Sequence, residues 1–339
     1  MSRKRNSPKP VVPRPASNSE QARHGARAPL TPRSAPPTVS GRWLLMAASM
    51  AVAAAAACAW LTLCLLFWQG GWQLLYHPAS TVARTPASMG VAFDPIAFAT
   101  ADTGEPRLKG WWIPAAPGAH DSRYTVLYLH GQNGDLGDAV DDLAALHAVG
   151  MNILAFDYRG YGQSQFARPS EAHWREDAEW AFHYLTGTRH VAAGTIIVDG
   201  SALGANLALE VAAAHPELAG VALESPLDSP LDTIFRDPRA RLVPVRLLVG
   251  DRYDADKAAA HLRIPSLWLI ASNGGKKDGV AKSPAVYGRI AVPKMLVLLT
   301  PQPTPAPGLA LKTQPEEDRQ FTDAYSRWLD DLPKKPGDV

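Results

Sequence analysis

Residues 199–204 (Asp-Gly-Ser-Ala-Leu-Gly) join an apolar run to an alanine-rich stretch with helical spacing. A strand that turns sharply into a helix can expose a serine nucleophile at the tip of the turn, in the pattern G-x-S-x-G. Small residues are needed two places before and two places after the tip, because the turn is strained. Gly200 and Gly204 have this spacing, which puts Ala202 at the tip.

Ser201 offers a second interpretation of the same turn. With Ser201 at the tip, Asp199 and Leu203 would take the two small positions, where their side chains would crowd the turn. A methyl group at Ala202 can neither lose a proton nor attack a carbonyl carbon. The first interpretation therefore predicts a turn without a nucleophile, and the second predicts an active serine.

Other kinds of catalytic or cofactor chemistry lack support in the sequence. The chain has two cysteines, Cys58 and Cys64, and both lie in an apolar run, which excludes a disulfide scaffold, a cysteine-ligated zinc site and a cysteine nucleophile in the rest of the chain. No HExxH, Walker-type loop or GxGxxG motif follows a predicted strand, so we expect no metal and no cofactor. The basic residues of the N-terminal tail lack interleaved aromatic residues, so we expect no nucleic-acid partner.

The elements that must position this turn alternate along the chain. Apolar runs predict strands at 124–129, 152–157, 195–199, 220–224, 266–271 and 294–300, and helical spacing predicts helices at 138–149, 170–185, 203–214 and 315–332. Continuous apolar strands interleaved with helices indicate a mostly parallel sheet covered on both faces. Two earlier strands, about 91–101 and 107–114, are expected to pair antiparallel at one edge.

The N-terminal part of the chain differs sharply in charge from the rest. Residues 1–42 hold nine Lys/Arg and one acidic residue, a net charge of +8, and the remainder carries −6. This proline-rich tail is predicted to be disordered. Residues 43–68, which begin at Trp43 and end at Trp68, contain no charged residue, and a helix needs roughly 20 residues to cross a bilayer. The bases before this span place the tail in the cytoplasm and the body outside, in a single-pass protein of the cell membrane.

The apolar span has three other interpretations. A signal peptide would have a shorter apolar stretch and a shorter preceding segment. Cys58 after three alanines suggests a lipid attachment site, but ten more apolar residues follow it. A buried core helix is the third possibility, and 26 uncharged residues is long for one.

Several motifs together resemble a known family. They are QLLYHP at 73–78, LKGWWIP at 108–114, YLHGQN at 128–133, FDYRGYGQS at 156–164, PSE at 169–171, DGSALG at 199–204, LESP at 223–226 and RYD at 252–254. In this combination, residues 70–332 resemble the α/β-hydrolase superfamily, in its membrane-anchored, serine-hydrolase-like branch of aminopeptidases and esterases. The resemblance implies an α/β-hydrolase fold with a short cap at about 227–263. Residues 333–339 are expected to form a disordered C-terminus.

The resemblance also implies which residues form the site. The loop that begins with His130 and Gly131 would lie on the oxyanion side of the pocket, where Gln132 donates its backbone N–H. Leu203, the residue after the tip, would donate the second N–H.

The catalytic triad implied by the resemblance is incomplete. Its acid falls on Gly274 or Gly275, and Asp278 reaches that position only with a shift of three or four residues. Its histidine should lie within 301–314, which contains none, and the last histidine of the chain is His261. The sequence therefore predicts a hydrolase-like pseudoenzyme that binds a small molecule, a lipid or a partner protein. An active esterase or peptidase that uses Ser201 or an atypical site is the alternative, and a purely architectural envelope protein is the third hypothesis.

Overall fold

A computed structural model of the 339-residue chain describes residues 39–101, 103–227, 229–271, 283–299 and 315–333. The predicted disordered tail 1–42, except for its last four residues, lies outside the described residues, as do Asp278, the segment 301–314 and residues 334–339. By its backbone contacts the chain divides into two units, Met1–Ala55 and Ala56–Val339. In the first unit the described residues are mainly the N-terminal part of one helix, and the second unit contains the sheet.

The regular elements alternate as the apolar pattern predicts. The helices are α1 (Gly41–Gly70), α2 (Val140–Val149), α3 (Glu171–His183), α4 (Leu203–Ala214), α5 (Pro230–Ile234), α6 (Val245–Leu248), α7 (Ala255–His261), α8 (Ser283–Arg289) and α9 (Pro315–Asp330). The strands are β1 (His77–Pro78), β2 (Asp94–Thr100), β3 (Pro106–Ile113), β4 (Thr125–Leu129), β5 (Asn133–Gly134), β6 (Asn152–Asp157), β7 (Ile196–Ser201), β8 (Gly220–Glu224), β9 (Ser266–Ala271) and β10 (Lys294–Leu299).

Eight strands form one central sheet in the order β10-β9-β8-β7-β4-β6-β3-β2. All neighbouring pairs from β10 to β6 are parallel, and β3 and β2 complete one edge in antiparallel pairing. The predicted fold class and the antiparallel edge are therefore confirmed. β7 lies inside this sheet between β4 and β8, so the turn that follows it is held on both sides.

Both faces of the sheet are covered, which explains why its central strands are apolar at consecutive positions. On one face α3 and α4 pack against the sheet, with Trp174, Phe182 and Leu207 in the core. On the other face α2 and α9 do so, with Leu143 and Trp328 in the core.

The predicted apolar span at 43–68 lies within α1. In the described part of the chain α1, with the turn that follows it, is long and apolar enough to cross a membrane. Its last turns carry Phe67, which is buried with Ile234, Val243, Val245 and Val249 of the segment between β8 and β9. We call the described residues 229–263 of that segment the cap segment. It contains α5, a 3-10 turn at Pro238–Leu242, α6 and α7.

Candidate functional site

The turn between β7 and α4 has a strained tip. β7 ends at Ser201 and α4 begins at Leu203, which leaves Ala202 alone between them. Ala202 has φ 52° and ψ −117°, a backbone conformation that residues with a Cβ rarely adopt. Its N–H donates to the carbonyl oxygen of Glu224 in β8 at 2.8 Å, which ties the tip to the neighbouring strand.

Two glycines make this sharp turn possible. A Cβ at Gly200 would lie 2.3 Å from the carbonyl oxygen of Gly204, and a Cβ at Gly204 would lie 2.1 Å from the carbonyl oxygen of Leu129. The structure therefore places the two glycines where the G-x-S-x-G pattern requires small residues, with Ala202 at the tip between them. Ser201 is the last residue of β7, in register with Glu224, and it is partly exposed.

The loop after β4 lies against the tip. A Cβ at Gly131 would be 3.4 Å from the Cβ of Ala202. The backbone carbonyl of Gln132 accepts hydrogen bonds from the N–H of His77 and from the hydroxyl of Tyr161, both at 2.9 Å. These bonds hold the loop in place, and β1 pairs with β5 immediately after it.

The side chain of Gln132 caps the first amide of α4. Its Oε1 accepts a hydrogen bond from the N–H of Leu203 at 3.2 Å, and both residues are buried. The sequence predicts Gln132 only as a backbone donor in this position. In the structure its side-chain oxygen instead accepts the hydrogen bond of the Leu203 N–H, the donor that the resemblance assigns to an oxyanion.

The imidazole of His130 is buried rather than directed at a reacting group. It is 2% exposed and packs against the rings of Tyr158, Tyr161 and Trp174. Its Nδ1 lies 2.8 Å from the carbonyl oxygen of Gly131, so Nδ1 carries the proton in that hydrogen bond. Burial lowers the pKa of His130 to about 4, so the ring is neutral near pH 7.

The other described histidines serve as surface or capping groups. His173 contacts the carbonyl oxygen of Arg168 at 2.9 Å, and His261 contacts that of Lys257 at 2.8 Å. His215 lies between Glu179 and Glu217, at 3.0 and 2.8 Å. Among the hydrogen bonds of the described residues, none joins a histidine to Ser201.

Beneath the turn lie two acidic side chains that the sequence analysis did not single out: Asp199, which is buried, and Glu224, which is partly exposed but has a buried Oε1. Asp199 of β7 is fully buried and accepts a hydrogen bond from the hydroxyl of Tyr325 at 2.7 Å. Burial raises the pKa of Asp199 to about 7, and burial beside Asp199 raises that of Glu224 well above its usual range. The described residues contain no group of histidine, cysteine and acidic side chains suited to a metal ion. Asp142 of α2 also contributes to the raised pKa of both groups.

The signal for this pair is present in the sequence. An aspartate that ends an apolar run suggests a strand terminus, and the predicted strand stops at residue 199. The observed strand continues to Ser201, because Asp199 and Gly200 pair with Tyr128 and Leu129 of β4. The predicted strand included Asp199 and missed only Gly200 and Ser201, and the burial of the Asp199 side chain follows from its place in a central strand.

The site thus combines one backbone donor with a tip that has no reactive side chain. Leu203 at the start of α4 presents a backbone N–H at the positive end of a helix, where a carbonyl or carboxylate oxygen is favoured. At the position from which a nucleophile would attack stands the methyl group of Ala202. Within the described chain, this geometry can hold an oxygen atom, and the tip has no group that can attack a carbonyl carbon.

Comparisons with known proteins support the same architecture. The family model described as serine aminopeptidase, S33, matches residues 120–246. An uncharacterised protein of Mycobacterium tuberculosis is 31% identical over 270 residues, which cover 78% of this chain and 89% of the relative. The alpha/beta hydrolase domain-containing protein 17C of Xenopus tropicalis is 37% identical over 129 residues, which cover 38% of this chain and only 40% of that relative.

Solved structures with low sequence identity share the fold. Esterase Pf2001 of Pyrococcus furiosus has a TM-score of 0.53 at 18% identity, over 76% of this chain and 97% of the esterase. An alpha-beta hydrolase of Vibrio vulnificus has a TM-score of 0.50 at 20% identity, over 66% of this chain and 76% of the other.

Proposed function

The chain belongs to the α/β-hydrolase superfamily, and from this premise we propose that it is a membrane-anchored binding protein that does not hydrolyse its ligand. The observation that carries the proposal is Ala202 at the tip of the strained turn. In this fold the residue at the tip is the nucleophile, and a methyl group cannot take that role.

The rest of the reaction machinery is also incomplete. Activation of a hydroxyl at the tip requires an imidazole within hydrogen-bond reach. The last histidine of the chain, His261, caps its own helix by contacting a carbonyl of that helix, and His130 is buried among aromatic rings. A serine restored at the tip would therefore lack a general base.

The backbone N–H of Leu203 suggests the class of ligand. The N–H of Leu203 already holds a carbonyl oxygen, that of the Gln132 side chain. A ligand with an acyl carbonyl or a carboxylate presents the same type of oxygen and can replace Gln132 there. We therefore assign to the site a small molecule or lipid that carries such a group.

The membrane location rests on α1 and on the charge of the residues before it. The uncharged stretch from Trp43 to Trp68 exceeds the roughly 20 residues needed to span a bilayer, and its long apolar side chains are mostly exposed. The net charge of +8 over residues 1–42 favours a cytoplasmic N-terminus and an extracytoplasmic hydrolase-fold domain.

The proposal is tested with the full chain in detergent micelles and p-nitrophenyl butyrate as substrate. We expect no turnover above buffer, no labelling of Ser201 by a fluorophosphonate probe, and no gain of activity in Ala202→Ser. Turnover that disappears in Ser201→Ala would instead identify an active serine hydrolase. Activity in Ala202→Ser would reveal a general base that acts on the tip.

Binding is measured in the same preparation with hexanoate as the probe, by the rise in thermal unfolding temperature. A ligand that binds only the folded state stabilises it by mass action. Gln132→Ala removes the side chain that occupies the Leu203 amide, so hexanoate should stabilise this variant more than the unmodified protein. An equal or smaller rise in the variant would contradict the proposed place of binding.

A further inference from the structure

The cap segment packs on one face of α1, well before that helix ends. Trp60, Leu63, Cys64 and Phe67 have the i, i+3, i+4, i+7 spacing of a single helical face. The last three contact the apolar cluster of the cap segment, and the indole N–H of Trp60 donates to the carbonyl oxygen of Leu242 at 2.9 Å.

This contact fixes the level of Leu242 along the helix. Trp60 lies ten residues before the helix end at Gly70, a distance of about 15 Å at a rise of roughly 1.5 Å per residue. The hydrocarbon core of a bilayer covers about 20 helical residues. If α1 spans the bilayer with Arg42 outside that core, the core reaches at least to the level of Trp60.

The outer edge of the cap segment carries apolar side chains that the described part of the chain leaves largely exposed. Leu242 is 63% exposed, although its own carbonyl bonds to α1, and Leu247 is 84% exposed. On α1 itself Leu61, beside Trp60, is 59% exposed. Lipid that covers Leu61 therefore lies at the same level as Leu242.

Arginines lie among these leucines. Arg236, Arg241 and Arg246 are exposed, and within the described parts of the chain none of them forms an ion pair. Apolar side chains flanked by unpaired arginines are typical of segments that lie in the membrane interface, where the guanidinium groups bind lipid phosphates. We call Arg236, Arg241, Leu242, Arg246 and Leu247 the cap edge.

The opposite side of the cap segment has a different character. Ile234, Ala240, Val243, Val245 and Val249 are buried and face α1. The cap segment therefore has one apolar side that contacts the helix and an outer edge that combines leucine with arginine.

We propose that the cap edge is a second membrane contact of this protein, which inserts Leu242 and Leu247 into the phospholipid leaflet beside α1. The partner is the phospholipid bilayer itself: its acyl chains cover the leucines and its phosphates bind the three arginines. Leu242 lies deeper, at the level of Trp60. Leu247 lies shallower, because its neighbour Val249 lies against Gly71, just past the end of α1. The inference rests on the proposed membrane anchoring by α1.

A membrane-embedded cap edge would affect how a ligand reaches the turn at Ala202. The cap segment follows β8, the strand next to β7 and its turn, so a cap embedded at the interface would bring that turn close to lipid. An acyl ligand could then reach the site from the leaflet without crossing water.

The test places single fluorescent labels on the full chain reconstituted in vesicles. In a Cys58→Ala, Cys64→Ala background, an NBD label is attached at Leu242→Cys, Leu247→Cys, Leu61→Cys or Leu296→Cys. Leu61 reports on the anchor, and Leu296, 43% exposed on β10, is the matched control away from the cap edge. The vesicles contain phosphatidylcholine and phosphatidylglycerol in equal parts, with or without doxyl-labelled phosphatidylcholine.

We expect blue-shifted emission and loss of most of the intensity to the doxyl lipid at Leu61 and Leu242, weaker quenching at Leu247, and none at Leu296. Aqueous emission at Leu242 and Leu247 with a quenched label at Leu61 would overturn the cap-edge contact and leave the anchor standing. An unquenched label at Leu61 would overturn both. Blue-shifted but unquenched emission at Leu242 would show burial against protein, as in a dimer, and would also overturn the proposal.

Discussion

The strain at the tip of the turn leads to a quantitative prediction about Ala202. At φ 52° and ψ −117° the Cβ of alanine is unfavourable, whereas glycine adopts this region readily. Ala202→Gly should therefore relieve strain in the folded state, although glycine ordinarily destabilises a structured position.

The size of the strain energy follows from a comparison with a second alanine, Ala213, which has an ordinary helical backbone conformation. Ala213 is also partly buried, but it lies in the last turn of α4 with helical geometry. Replacement by glycine costs about 0.5–1 kcal/mol in chain entropy at either position, and each replacement also loses one partly buried methyl group. The difference between the two variants isolates the strain, which is about 1–3 kcal/mol for a residue held in such a region.

The assay is equilibrium denaturation of the full chain in detergent micelles, with midpoint and slope recorded for both variants. Ala202→Gly should be more stable than Ala213→Gly by about 1–3 kcal/mol, and its denaturant slope should equal that of the unmodified protein. If Ala202→Gly proves as unstable as Ala213→Gly, the turn is not strained and the assignment of Ala202 to its tip loses its physical basis.

Two further predictions concern the same turn. Gly204→Ala would put a Cβ 2.1 Å from a backbone oxygen at the end of β4 and should cost about 3 kcal/mol or more, whereas Gly187→Ala meets nothing within 4 Å and should leave thermal stability unchanged or slightly raised. Because burial raises the pKa of Asp199 to about 7, the folded state retains a proton there that the unfolded chain loses near its ordinary pKa. Stability should therefore fall as the pH rises from about 4 to 7, and fall less steeply in Asp199→Asn, whose amide oxygen can still accept from Tyr325. Denaturation midpoints across that range measure the slope, with the exposed Asp94→Asn as control; an equal slope in Asp199→Asn and the control would refute the assignment.

The sequence predicted the framework well because apolar patterning is local. Strands such as 152–157 and 220–224 coincide with β6 and β8, and the predicted helix 203–214 coincides with α4. The apolar span at 43–68 became a helix two residues longer at each end. These elements are defined by runs of neighbouring residues, whose periodicity is visible before the chain folds.

Contacts between distant residues could not be predicted in the same way. The bond from Leu203 to the side chain of Gln132 joins positions 71 residues apart, and the bond from Trp60 to Leu242 joins positions 182 residues apart. Each depends on how two loops or elements are brought together, which no local pattern encodes. The resemblance indicated that the loop at Gln132 faces the turn, but not that the Gln132 side chain accepts a hydrogen bond from the Leu203 N–H.

The difference between backbone and side-chain chemistry explains why the site has the main-chain donor at Leu203 but no nucleophile at its tip. Its donor at Leu203 is a main-chain N–H, which any residue supplies as long as the glycines allow the turn to form. The nucleophile and the base are side chains, and one substitution removes each of them. With a methyl group at the tip, the folded chain still positions an amide at the start of α4, and the oxygen of Gln132 gives that buried N–H a hydrogen-bond acceptor. Under the proposed binding function, a ligand must offer an oxygen that accepts from the Leu203 N–H at least as well as the Gln132 oxygen it displaces, so we expect the site to select carbonyl or carboxylate groups.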